Sequence, residues 1–146
     1  MNVEHFLDTN IFVYMLDETD DLKRRRAEQL VRHSIEAGTG CISYQVVQET
    51  LNVATRRLGF AADDSCILLA DVLVPLWTVH PSRELYERGL ALRDRYGFSF
   101  YDSMIIAGAI QSGCVRLYSE DLQHGQRIQS LTVENPFRAP VEGRPT

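Results

Sequence analysis

The sequence predicts an α/β protein, a three-layer α/β/α sandwich with a central, mainly parallel sheet. Short apolar segments typical of buried strands alternate with longer segments that have helical periodicity. This alternation favours parallel strands with helices on both faces of the sheet. The chain has 146 residues, 45% of them hydrophobic, which is enough for one core and predicts a single domain.

The individual elements follow from local patterns of apolar, capping and glycine residues. The predicted strands are residues 3–7, 41–43, 75–79, 115–118 and 131–133. The predicted helices are residues 11–16, 20–37, 44–58, a segment capped by Asp63 or Asp64 that ends near residue 72, 82–96, and 99–113. Residues 1–134 form the expected domain, and the prolines at 136, 140 and 145 predict a disordered tail over residues 135–146.

Composition narrows the class of protein. The net charge of −5 argues against a general polyanion binder. No apolar segment reaches the ~20 residues that cross a bilayer, and polar residues interrupt the N-terminal segment, so we expect a cytoplasmic protein without a membrane partner. Three widely spaced cysteines predict free thiols, and the histidine spacing does not indicate a zinc site.

Polar residues cluster where predicted strands end and helices begin. They are Asp8 and Asn10 after the first strand, Glu49 in the helix after the second, Asp102 in the first turn of a strongly apolar helix, and Ser119 and Asp121 after the strand "VRLY". Taken singly, each acid has a simpler explanation as a helix cap, a turn residue or a solvated side chain.

Taken together, the acids suggest a metal site. Ligands bind beyond the carboxyl ends of strands in open α/β sheets, where these residues can meet. Clustered carboxylates repel one another unless a cation neutralises them, and Mg²⁺ or Mn²⁺ is the cation that prefers oxygen ligands. Such an ion lowers the pKa of bound water and stabilises charge on a phosphoryl oxygen, which is the chemistry of phosphodiester hydrolysis.

Four segments in order resemble the motifs of PIN-domain ribonucleases, in particular VapC-type toxins of toxin–antitoxin pairs. They are "FLDTNIFVY", "QVVQETLNVATRRLG", "GFSFYDSMIIAGAIQSGC" and "LYSEDLQHGQ", and the resemblance extends from about residue 3 to residue 133.

The resemblance implies a PIN-like fold, usually a homodimer, held inactive by a cognate antitoxin. It also implies Mg²⁺- or Mn²⁺-dependent endonucleolytic cleavage of RNA, in which a metal-activated water leaves a 3′-hydroxyl and a 5′-phosphate. The implied catalytic acids are Asp8, Glu49, Asp102 and Asp121, with Asp8, Asp102 and Asp121 as metal ligands. Asn10 and Ser119 would support them, and Glu120 competes with Asp121 for its assignment.

Two basic segments are candidates for binding RNA phosphates. They are Lys23, Arg24, Arg25 and Arg26, and the pair Arg56 and Arg57. Arg56 lies seven residues beyond Glu49 and therefore on the same helical face. Each segment could equally be a solvated basic surface, and residues 23–26 could instead pair with a partner's acids.

Three other functions compete with this interpretation. A haloacid-dehalogenase-like phosphatase needs D-x-D after the first strand, where this chain has Asn10, and a lysine later in the chain, where Lys23 is the only lysine. A non-catalytic binding module or a housekeeping RNA-processing protein on the same fold remains open, because fold does not fix function. An interaction protein whose main role is complex formation overlaps with the toxin interpretation, because a VapC-type toxin would be held inactive by its antitoxin.

Overall fold

The computed structural model describes residues 3–138, in which strands and helices alternate as predicted. The strands are β1 His5–Leu7, β2 Gly40–Ser43, β3 Trp77–Val79, β4 Arg116–Tyr118, β5 Arg127–Ile128 and β6 Leu131–Glu134. The helices are α1 Thr9–Leu16, α2 Asp21–Ala37, α3 Tyr44–Arg56, α4 Ala62–Leu68, α5 Arg83–Tyr96 and α6 Phe100–Gln111. A π-helical turn, Leu69–Leu73, continues α4.

The strands form one six-stranded sheet in the order β3-β2-β1-β4-β6-β5. All neighbouring pairs are parallel except β5 and β6, which are antiparallel. The mainly parallel sheet is therefore confirmed. Because β1 lies between β2 and β4, the residues that follow these three strands come together at one edge of the sheet.

Helices cover both faces of this sheet, which confirms the three-layer arrangement. On one face, His5 of β1 forms a buried 2.8 Å hydrogen bond to the Ser34 hydroxyl of α2. On the other face, Phe6 lies against α6, where a Cβ added to Gly108 would be 3.6 Å from its ring. Side chains at successive strand positions point to opposite faces, which places α2 and α6 in different layers.

The direction of α6 matters for the site. The helix begins after Ser99, whose hydroxyl accepts a 3.1 Å hydrogen bond from the backbone N–H of Asp102, and it ends just before β4. A helix that leads into a parallel strand runs antiparallel to it, so α6 starts at the edge of the sheet where the parallel strands have their carboxyl ends, called the carboxyl edge below.

The predicted Ser82 cap of α5 is also present, because the Ser82 hydroxyl accepts a 3.1 Å bond from the Leu85 N–H.

Two local predictions were wrong. Neither Asp63 nor Asp64 is the N-cap residue of α4, because the helix begins at Ala62 and Asp64 accepts a 3.1 Å bond from the Ala61 N–H from within the first turn. Strand β5 was missed, since a strand of two residues is too short to show a period.

The first residues of the predicted tail are placed against the domain. The Phe137 ring packs edge-on against Tyr14 with 4.8 Å between ring centroids, and the Arg26 Nε donates a 3.3 Å hydrogen bond to the Pro136 carbonyl. The rest of the predicted disordered tail, residues 139–146, lies outside the described residues. Between residues 3 and 138, no helix is both long and apolar enough to cross a membrane.

Candidate active site

Asp8 is the most buried acid at the carboxyl edge, with 6% of its surface exposed. Its Oδ1 accepts a 2.7 Å bond from the Thr9 N–H, and its Oδ2 accepts a 2.7 Å bond from the Ser119 hydroxyl. Burial raises the pKa of Asp8 to about 7; the hydrogen bonds from Ser119 and Thr9 oppose this, and the charges of Asp121 and Glu49 add to it. Asp8 therefore caps α1 and also contacts the end of β4.

Asn10 connects the start of α1 to the turn that follows β4. Its Nδ2 donates a 3.1 Å bond to Asp121 Oδ2, and its Oδ1 accepts a 3.3 Å bond from the Glu120 N–H. The Ser119 hydroxyl also accepts a 3.2 Å bond from the Asp121 N–H. Asn10 and Ser119 thus join Asp8 and Asp121 in one hydrogen-bonded network.

Glu49 reaches the same network from α3. Its Oε1 accepts a 3.3 Å hydrogen bond from the Thr9 hydroxyl, and its side chain is exposed at the edge of the sheet. Its carboxylate lies near enough to Asp8 for its charge to raise the pKa of Asp8. The structure therefore brings Glu49 and Asp8 together through Thr9.

Asp102 lies at the start of α6, on the same edge of the sheet. The Gln45 side chain of α3 donates a 3.2 Å bond to the Tyr101 carbonyl and so fixes this end of α6 beside α3. Ser99 caps the Asp102 N–H, but within residues 3–138 the Asp102 carboxylate does not return the reciprocal bond of a capping box. In the same range no hydrogen bond joins that carboxylate to Asp8 or Asp121, so Asp102 stands apart from the bonded network.

Contacts distinguish Glu120 from Asp121. Glu120 accepts hydrogen bonds from the Tyr14 hydroxyl and from Lys23 Nζ, the second at 2.6 Å. Burial raises the pKa of Glu120, but these two bonds together with the charge of Lys23 outweigh it, so the pKa is lowered. The charge of Glu120 is thus neutralised by a lysine of its own chain, which leaves Asp121 as the acid of this turn that shares Asn10 with the network.

The donor atoms at this edge suit a divalent cation. Asp8, Asp102, Asp121 and Glu49 offer only carboxylate oxygens, the ligands that Mg²⁺ and Mn²⁺ prefer. Repulsion among these acids contributes at Asp8. Burial raises the pKa of Asp8 most, and the charges of the neighbouring Asp121 and Glu49 raise it further. Across the described part of the chain, no three His, Cys, Asp or Glu side chains are arranged closely enough to surround an ion. The residue types therefore fit a metal, and their present spacing is wider than that of a closed site.

The two basic segments are placed differently. Arg24 pairs with Asp21 and Glu28 of its own helix, and Arg25 pairs with Asp21. Lys23 binds Glu120, as described above. Arg56 and Arg57, at the end of α3, are exposed and form no ion pair with any residue between 3 and 138.

Four residues that contribute to the site were not predicted from the sequence in these roles: Thr9, Tyr14, Gln45 and Glu120. Thr9 lies within the "DTN" segment and could have been suggested by its position. The contacts of the other three join residues 56 to 106 positions apart, so no local sequence pattern reveals them.

Comparison with known proteins gives a consistent result. The family model described as PIN domain matches residues 5–127. The fold is similar to a toxin–antitoxin complex from Klebsiella pneumoniae, with 21% identity, a TM-score of 0.69, and coverage of 93% of this chain and 100% of the other. It is also similar to VapC20 of Mycobacterium tuberculosis, a sarcin-ricin loop cleaving toxin, with 23% identity, a TM-score of 0.60 and coverage of 81% and 90%.

A third similar structure is VapBC2 from Rickettsia felis, bound to a DNA fragment from its promoter. It shares 20% identity with this chain at a TM-score of 0.63, and the alignment covers 91% of this chain and 98% of the other. At these identities the solved structures establish likeness of fold. No curated protein sequence matches the chain.

Proposed function

The chain belongs to the PIN domain family, and on that premise we propose that it is a metal-dependent endoribonuclease that hydrolyses RNA phosphodiester bonds. The observation that carries the proposal is the buried carboxylate of Asp8. Its pKa is raised to about 7, mainly by burial, and the charges of Asp121 and Glu49 add to the rise. A protein retains a buried acid beside two other acids at a destabilising cost, which a bound cation would offset.

We assign Asp8, Asp102 and Asp121 as ligands of Mg²⁺ or Mn²⁺ and Glu49 as the fourth catalytic acid. When bound, the ion supplies an activated water and stabilises charge on the scissile phosphate. The two hydrogen bonds on Asp8 fix its orientation, and Asn10 and Ser119 fix that of Asp121. The carboxylate of Glu49 is exposed at this edge, where it accepts a hydrogen bond from the Thr9 hydroxyl.

This assignment has a consequence for the products. Because water is the nucleophile, the 2′-hydroxyl of the RNA takes no part in bond breaking, and cleavage leaves a 3′-hydroxyl and a 5′-phosphate. Selectivity for RNA must then arise from the shape of the substrate and its contacts with the protein. Arg56 and Arg57 are the stronger candidates for phosphate contacts, since they are exposed and form no ion pair in residues 3–138.

We further propose that the protein is the cytoplasmic toxin of a toxin–antitoxin pair, a homodimer inhibited by a cognate antitoxin. The family resemblance of its four motifs supports this, as does the likeness of its fold to toxin–antitoxin complexes. Because the toxin of similar fold cleaves the sarcin-ricin loop, that loop is the first substrate to try.

One observation favours a second candidate, a non-catalytic or housekeeping RNA-binding or RNA-processing protein. In the described residues the carboxylates do not form a closed metal site. If Mg²⁺ or Mn²⁺ does not draw Asp102 towards Asp8 and Asp121, no hydrolysis would follow, and RNA binding would depend on exposed cations such as Arg56 and Arg57.

The test is cleavage of total cellular RNA by the purified, antitoxin-free protein in Mg²⁺, in Mn²⁺ and in EDTA. Wild type should cleave only with metal, and Asp8→Asn, Asp102→Asn and Asp121→Asn should each lower the rate by about 100-fold or more. Asp94→Asn, which removes an exposed carboxylate from α5, is the matched control and should cleave normally. Binding of RNA without cleavage under every condition would favour the non-catalytic candidate.

A further inference from the structure

Tyr14, Lys23 and Glu120 form a bonded cluster beside the proposed site. Lys23 Nζ lies 2.6 Å from Glu120 Oε2 and 3.1 Å from the Tyr14 hydroxyl, which itself donates to Glu120 Oε1. Each member of this cluster therefore contacts the other two. The side chains of Lys23 and Glu120 are only 32% and 25% exposed, which makes their ion pair better shielded than a typical surface pair.

Aromatic rings cover the cluster. The Lys23 ammonium lies 4.5 Å from the centroid of the Tyr14 ring and 5.7 Å from that of Phe137. A cation over an aromatic face gains further stabilisation. The Lys23 ammonium thus contacts a carboxylate, a hydroxyl and two aromatic rings, all of them in its own chain.

The cluster acts on the turn that carries the proposed ligand. Asn10 and Tyr14 are four residues apart on α1, so their side chains lie on one face of the helix. Asn10 binds the Glu120 N–H and the Asp121 carboxylate, while Tyr14 binds the Glu120 carboxylate. One helical face therefore holds the backbone and both acidic side chains of residues 120 and 121.

We infer that Tyr14 and Lys23 are positioning residues that fix Asp121 for metal binding by anchoring its neighbour Glu120. This inference rests on the proposed function. Glu120 is then the anchor of the turn rather than a ligand, and Lys23 contributes to the site through Glu120 rather than through RNA phosphates. Residues that orient metal ligands commonly alter metal affinity or activity by about 10- to 100-fold when they are changed.

The pairing itself can be measured through the only lysine of the chain. An amine-acylating reagent should label Lys23 slowly in the native wild type, since its ammonium is engaged by Glu120 and Tyr14. Mass spectrometry of the peptide that contains Lys23 should show faster labelling in Glu120→Gln and in Tyr14→Phe. Equal, rapid labelling in wild type and both variants would show that the cluster is open in solution and would overturn the inference.

The positioning role is tested by titrating Mn²⁺ into the full chain by calorimetry. Glu120→Gln and Lys23→Met should weaken Mn²⁺ binding by about 10-fold or more, and Lys23→Arg should restore part of it because Arg can still pair with Glu120. Arg32→Gln is the matched control, because it breaks another ion pair of α2, with Glu28 at 3.1 Å, and should leave Mn²⁺ affinity unchanged. Thermal melts of each variant verify folding, and Tyr14→Phe supplies a milder change if Lys23→Met unfolds.

The outcomes separate this inference from the proposed function. Wild type that binds no Mn²⁺ would overturn the proposed function and the positioning role with it. Wild type that binds Mn²⁺, with Glu120→Gln and Lys23→Met binding equally well, would overturn the positioning role alone. If those variants keep their Mn²⁺ affinity and Lys23→Met instead weakens RNA binding in EDTA, with a shallower salt dependence, Lys23 is a phosphate contact.

Discussion

Replacing Asp8 with asparagine should make the metal-free protein more stable, although it should abolish the proposed activity. Asparagine is nearly isosteric with aspartate and can still accept the Thr9 N–H bond that caps α1. It removes a charge that is 6% exposed and lies close to two other acids. It also loses the bond from the Ser119 hydroxyl to a charged acceptor.

The magnitude follows from the pKa of Asp8, which burial above all raises from 3.8 to about 7. Below pH 4 the acid is neutral in both the folded and unfolded states and contributes nothing to stability. Between pH 4 and pH 7 only the folded state holds the proton, so stability falls as pH rises. Above pH 7 Asp8 is charged in both states, and keeping this charge buried lowers the free energy of unfolding by ~4 kcal/mol. This figure follows from the rise of the pKa from 3.8 to about 7.

The lost Ser119 bond offsets about 1 kcal/mol of this gain. We therefore expect the free energy of unfolding of Asp8→Asn to exceed that of wild type by ~3 kcal/mol at pH 8. At pH 5, where the penalty in wild type is only ~1.6 kcal/mol, the excess should shrink to ~0.6 kcal/mol. For a chain of this length, ~3 kcal/mol corresponds to a rise in Tm of about 6–12 °C.

The assay is thermal unfolding in EDTA at pH 5 and pH 8, followed by circular dichroism and calorimetry. Asp94→Asn, at an exposed position of α5, is the control and should match wild type at both pH values. Adding Mn²⁺ at pH 8 should then raise the Tm of wild type but not that of Asp8→Asn. A stability difference that is absent at pH 8, or that is the same at both pH values, would refute the reasoning about Asp8.

Three further predictions concern the rest of the fold. Gly40→Ala should lower the free energy of unfolding by about 1–3 kcal/mol in a denaturant titration, because its Cβ would lie 2.5 Å from Ser34 Cβ; an unchanged midpoint would contradict this packing. Ser99→Ala should cost about 1 kcal/mol by the same titration, since it removes the cap of α6, whereas Ser130→Ala on an exposed turn should be neutral. A thiol reagent should label one cysteine, Cys66, in the native protein and all three after unfolding; rapid native labelling of a second thiol would refute the burial of the other two.

Much of the fold was predictable because its signals are local. Apolar segments marked five of the six strands, and Ser82 and Ser99 marked the starts of their helices correctly. The parallel arrangement then placed the ends of β1 and β4 side by side, where Asp8 donates its N–H to the Tyr118 carbonyl at 3.0 Å. The position of the candidate site thus follows from strand order and strand direction alone.

The remaining details depend on contacts between distant parts of the chain. In the sequence, Lys23 begins a basic segment and suggests an RNA contact, but in the structure it binds Glu120, 97 positions away. The same contact separates Glu120 from Asp121, two adjacent acids that the sequence alone does not distinguish. Asp102 shows the opposite case: its sequence context fits a capping box, yet its carboxylate makes no capping bond within the described residues.

The most direct test of the account is a crystal structure of the protein with Mn²⁺, with the ion located by its anomalous scattering. We predict an anomalous peak at the carboxyl edge of the sheet, about 2.1 Å from oxygens of Asp8 and Asp121, with Asp102 drawn in to complete the site. No peak at saturating Mn²⁺, or a peak bound elsewhere while Asp8 keeps its bond to Ser119, would contradict the assignment of this edge as a metal-dependent nuclease site.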